Sequence, residues 1–164
     1  MNSEKKDYFE LYKIALDTRN FEIELFWKRS NYFLVLNSLL AAAFIRFYAT
    51  KESLFLSCLL IVFGFVASFL WFRVNLGSKF WQTRWEEKLL QIEKKIDSDL
   101  KFFNTSNEPK QDVKNNFERA KKENLFTYLI LTKPSVSNQM IYLSLVFILF
   151  WMSLFGYVLC NKII

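Results

Sequence analysis

Three stretches of this chain are almost free of charge: residues 32–49, interrupted only by Arg46, residues 54–72 and residues 140–159. At 1.5 Å of rise per helical residue, runs of 18, 19 and 20 residues are about 27 to 30 Å long, the thickness of a bilayer's hydrocarbon core. Buried helices of a soluble domain usually keep a polar stripe, and 164 residues leave no outer layer to cover three uncharged rods. The expectation is therefore three transmembrane helices. The first is the least apolar, because Asn37, Ser38 and Arg46 interrupt it, although Arg46 lies near enough to the end to snorkel toward head groups. With only 3 Gly and 2 Pro the chain also lacks the turn residues of a many-stranded sheet. The fold class expected is an all-α membrane protein.

Charge orients the spans. Lys and Arg number 6 before the first run, 2 at its far end and just beyond it (Arg46 and Lys51), 13 in residues 73–133 and 1 after the third. The positive-inside rule then puts the N-terminus and the middle segment of this multi-pass chain in the cytoplasm and the C-terminus outside. The first 30 residues are too charged for a signal peptide, so the first span is expected to direct insertion. The resulting division is a cytoplasmic amphipathic helix at 1–31, spans one and two at 32–74, a cytoplasmic helical hairpin at 75–137, span three at 138–160 and an external tail at 161–164. The net charge of +6 is explained by orientation signals and solvated helix faces near anionic lipid, and no nucleic-acid partner is expected.

Before the first span, Tyr8, Leu11, Tyr12, Ala15, Ile23, Phe26 and Trp27 recur at helical steps, and no Gly or Pro occurs before Gly64. This predicts an amphipathic helix running from about Glu4 into the membrane, with any bend near Asp17-Thr18-Arg19-Asn20. After the second span, Asn75-Leu76-Gly77-Ser78 predicts a break and a new N-cap. From Lys79, the residues Trp81, Trp85, Leu89, Ile92, Ile96, Leu100 and Phe103 form an apolar stripe close to a heptad seam. Asn104-Thr105-Ser106-Asn107 predicts a turn, and residues 109–124 a second arm carrying Val113, Phe117 and Ala120. The apolar run 125–131 fits helix end, strand or interfacial segment alike. Lys133-Pro134 ends it, and Ser135 or Ser137 can cap the third span.

Signals for catalysis are missing. His is absent, which removes the commonest general base and metal ligand, and there is no Gly-rich phosphate loop or paired-Cys motif. Cys58 and Cys160 sit singly in apolar runs and act as small hydrophobes. No enzyme activity, metal or cofactor is expected. The informative groups are polar residues within the spans: Asn37, Ser38, Ser57, Ser68 and Ser153 must find hydrogen bonds in protein, because lipid offers none. Gly64-x-x-x-Ser68 and Ala41-Ala42-Ala43 present smooth surfaces for helix contact, within one subunit or between copies. Asn37 and Ser57 are candidates for a pore lining, and Asn37 equally for glue between helices.

Ala15-Leu16-Asp17-Thr18-Arg19-Asn20-Phe21-Glu22-Ile23, leading through Phe26-Trp27-Lys28-Arg29 into the first span, resembles the bacterial RipA family of octameric membrane proteins. So do Gly77-Ser78-Lys79-Phe80-Trp81 with Trp85-Glu86, and Ser135-Val136-Ser137 at the third span. The resemblance runs in order from about residue 8 to residue 155. It implies a homo-oligomer, an octamer, embedded in the lipid of a bacterial inner membrane, with cytoplasmic helices and no established reaction. It also implies that Trp81, Trp85 and Glu86 lie between subunits or within one hairpin, with Glu86 pairing to Arg19 or Arg29; Trp27, Gly64 and Ser68 complete the candidate contact set. A His expected shortly after the Trp-Glu pair is replaced by the Lys88-Leu89 region, so no role for it carries over. Three functions fit these features: a self-assembling scaffold or sensor whose cytoplasmic collar docks a protein partner, a channel or membrane-permeabilising effector in stress or phage defence, and an accessory subunit of an envelope or lipid enzyme.

Overall fold

The computed structural model describes residues 2–50, 53–97, 114–115 and 135–163. Three helices dominate them: α1 (Asn2–Ala49), α2 (Leu54–Ile96) and α3 (Val136–Ile163). Each is long and apolar enough to cross a membrane. At 48, 43 and 28 residues they extend about 72, 65 and 42 Å, so α1 and α2 project well beyond a hydrocarbon layer of about 30 Å.

The low-propensity stretch Asp17-Thr18-Arg19-Asn20 does not interrupt α1. Ser53 caps α2, accepting the Leu56 backbone N–H at 3.3 Å. Tyr12 then meets Glu93, Arg19 meets Glu86, Ser30 meets Asn75 and Asn37 meets Ser68. Advances of 7, 11 and 7 residues along α1 are matched by equal retreats along α2, so the two form an antiparallel hairpin in one register. α3 packs mainly on α2 and reaches α1 through long side chains, with the Tyr48 and Tyr157 rings 6.0 Å apart.

The break expected at Asn75-Leu76-Gly77-Ser78 does not occur; α2 continues through it to Ile96. Asn75 and Ser78 face inward, and Asn75 bonds to the neighbouring helices, so residues that end a solvated helix here become contact points. The expected hairpin arm from Lys79 is thus the end of the same helix that makes the second span. Its seam also differs from the expected stripe: Gln82, Leu89 and Glu93 are buried, Trp85, Ile92 and Ile96 half-buried, and Trp81 exposed. An apolar criterion selects Trp81, whereas the seam of α2 is substantially polar. The expected turn at residues 104–107, the second arm at 109–124 and the run at 125–131 lie outside the described residues.

Along the apolar runs the outer surface is apolar, while the interior holds polar groups beside an apolar cluster of Phe44, Ile61, Trp151 and Val158. Phe55, Phe63, Phe69, Leu149 and Met152 are exposed, while Ser30, Asn37, Ser57, Ser68, Asn75, Gln82 and Ser144 are buried. Water would penalise that surface, whereas lipid tails solvate it at no cost. Among lipid tails the helices gain nothing from hydrophobic segregation, so shape and hydrogen bonds must hold them together.

Candidate functional site: a polar seam between the helices

The buried residues Ser57, Ile61, Gly64, Ser68, Trp71, Asn75, Ser78 and Gln82 of α2 alternate steps of four and three, the spacing that keeps one face of a helix on its partners. On this face the small and polar residues form successive rungs.

The deepest rung centres on Asn37, which is 0% exposed. Its Nδ2 donates to the Phe33 carbonyl at 2.9 Å, and its Oδ1 accepts the Trp151 indole N–H of α3 at 2.9 Å. Because an indole N–H only donates, this contact fixes which end of the amide faces α3. The Ser68 hydroxyl of α2 lies 2.7 Å from the same Oδ1 and 2.8 Å from the Gly64 carbonyl, so its single proton serves one or the other. One amide therefore ties three helices. Gly64 is required beside it: a methyl group there would overlap the Trp151 ring. Trp71, also fully buried, stacks on Phe33 of α1 at 6.2 Å and meets Phe147 of α3 at 5.8 Å.

One turn beyond the apolar runs, Asn75 makes a second three-helix rung. Its Oδ1 accepts from the Ser30 hydroxyl at 3.4 Å, and its Nδ2 donates to the Met140 carbonyl at 3.0 Å. Further out lies a cleft of about 300 Å³, lined in part by Arg19, Trp27, Lys79, Gln82, Glu86 and Ser137. Ser137 donates to Gln82 at 2.7 Å, Lys79 donates to Ser135 at 3.4 Å, and Arg19 pairs with Glu86 at 3.0 Å. Ser135 thus stands just before α3, while Ser137 in its first turn reaches across to α2. The outermost rung is Tyr12 donating to Glu93 at 3.0 Å. Tyr12 sits 20 residues before the first apolar run; burial, then the hydrogen bond and negative charge of Glu93, push its phenol up to about 12.

The residues singled out in the sequence therefore fall in two groups. Arg19, Glu86, Gly64 and Ser68 meet partners of the same subunit. Trp27 and Trp81 are exposed, and Trp85 is half-buried. Both pore-lining candidates are internal: Asn37 as described, and Ser57 donating to the Ser53 carbonyl at 3.1 Å beside a cavity of about 210 Å³ lined by Phe47, Tyr48 and Leu54. Trp151, Asn75, Gln82 and Tyr12 were not singled out as site residues. Spacing could have found Asn75 and Gln82, which continue the four-three series of Ser57, Gly64 and Ser68. Trp151 lies 114 residues from its partner Asn37, and no local pattern reports such a pair.

Chemically the seam binds helices to one another. Cys58 is half-buried and Cys160 exposed, both as free thiols, and among the described residues no cluster of three His, Cys, Asp or Glu could hold a metal ion.

A family model described as the octameric membrane protein family (8xMP) matches residues 9–160. No curated protein and no solved structure gives a match.

Proposed function

Because the chain belongs to the octameric membrane protein family, we propose that it is a non-catalytic, self-assembling protein of a bacterial inner membrane, related to RipA. Eight subunits would surround a common axis, and the projecting ends of α1 and α2 would form a cytoplasmic collar that acts as a scaffold or sensor. The observation that carries this reading is a subunit whose buried polar groups bond helix to helix while its outer surface along the spans is apolar. Such a unit is suited to lipid and to copies of itself, and its hydrogen-bonding capacity is directed to holding shape. The excess of Lys and Arg in residues 1–31 and 73–133 favours placing the collar in the cytoplasm, with the C-terminus outside. The collar's partner on this reading is a cytoplasmic protein; neither nucleic acid nor a cofactor takes part.

Flux from lipid vesicles tests the scaffold against a conduit. Reconstituted protein is expected to leave vesicles tight to small ions. Sustained leakage by intact oligomers would replace the scaffold with a channel, whose lining would have to come from outward-facing residues, since Asn37 and Ser57 lie inside the subunit.

A further inference from the structure

We infer that neighbouring copies of this chain meet through a strip of α1 outside the membrane, formed by Leu11, Ile14, Thr18, Phe21 and Leu25 and extended by Trp81 of α2. This rests on the oligomer reading above and names the surface it requires. The spacing is three-four-three-four, the pattern by which one helix seats against another over several turns. Leu11, Ile14 and Phe21 are 51, 63 and 58% exposed within the subunit, and Trp81 is 47% exposed. The strip ends before the apolar run that begins at Tyr32, so hydrocarbon tails do not reach most of it and only protein can cover it.

The packing among the described residues lies elsewhere. At about 100° per residue, the five strip positions of α1 fall within an arc of about 80°. Tyr12, Arg19 and Ser30, which face α2, lie about a third of a turn away. Ile23 and Trp27, which line the cleft with Ser135 and Ser137 where the chain re-enters α3, lie on the opposite side of α1. The strip thus faces away from the third helix. Arg19, Glu86, Gly64 and Ser68 are engaged inside the subunit, whereas among the described residues Leu11, Ile14 and Phe21 stay exposed and Thr18 and Leu25 half-buried, an apolar surface suited to a second copy. In a ring, contacts are heterologous, so the strip docks on a different patch of its neighbour rather than on itself.

The test uses the full chain in membranes, with a photoreactive benzophenone side chain placed at Phe21 and, as a control on the polar face, at Lys13. Irradiation is expected to give an adduct of twice the subunit mass from Phe21 and none from Lys13. A Phe21→Glu variant is expected to insert normally and retain its helicity, but to run as particles smaller than the wild type. If the wild type is itself a single subunit by mass, the oligomer reading fails. If the wild type is oligomeric but Phe21 cross-links only within its own chain, or F21E keeps the full particle mass, the strip inference alone is overturned.

Discussion

Single residues carry opposite consequences depending on which face of α2 they occupy. Gly64→Ala drives a methyl group into Trp151, and the expected loss is about 1 to 3 kcal/mol. Gly77→Ala meets nothing within 4 Å in mid-helix, and the expected gain is about 0.5 to 1 kcal/mol. Thermal unfolding in detergent reads both signs, and two shifts in the same direction would contradict the assigned faces. Asn37→Leu strands the Trp151 N–H in an apolar layer, which costs roughly 1 to 3 kcal/mol. Adding Trp151→Phe to that variant removes the stranded donor and is expected to recover part of the loss. At the water-exposed end, the Tyr12 phenol has a folded value of about 12 against an ordinary 10.0. A raised folded value means the stabilisation is fully present below pH 10 and is lost as pH climbs toward 12. In an absorbance titration, Tyr12→Phe is expected to remove a component that ionises near pH 12, and an unchanged titration curve would contradict the Tyr12–Glu93 contact.

Among elements, the long hairpin of α1 and α2 shows what local patterns report and what they miss. The three spans were legible because a bilayer sets a length, and uncharged runs of that length have few other uses. The unbroken entry of α1 into its span was legible from the absence of Gly and Pro before Gly64. The continuity of α2 was not. Asn, Gly and Ser in succession signal a break when the alternative is water, whereas here Asn75 finds Ser30 and a Met140 carbonyl 65 residues away. The family resemblance narrowed the pairing of Glu86 to Arg19 or Arg29, and the register of the hairpin selects Arg19. That pair is partly exposed, 23 and 35% at the side chains, so a double-mutant cycle is expected to return a coupling of only about 0.2 to 1 kcal/mol. Asn75→Ala, which unties three helices at once, is expected to lower the unfolding temperature more than either single change at that pair.

At the scale of the whole molecule, the subunit has a polar seam, an apolar coat and two helices that outrun the third. Lipid suits the coat around the apolar runs, and the proposed assembly would cover the part that lies beyond them. Membership of an octameric family agrees with that division. The site was legible in kind, as intramembrane polar residues needing partners, but its wiring depends on contacts across 31 to 114 residues that no short motif encodes. Native mass measurement of the detergent-extracted particle tests the central claim most directly. The account predicts a protein mass eight times the 19.7 kDa subunit. A single-subunit mass, or a chain that stays dissolved alone in buffer without detergent, would contradict it.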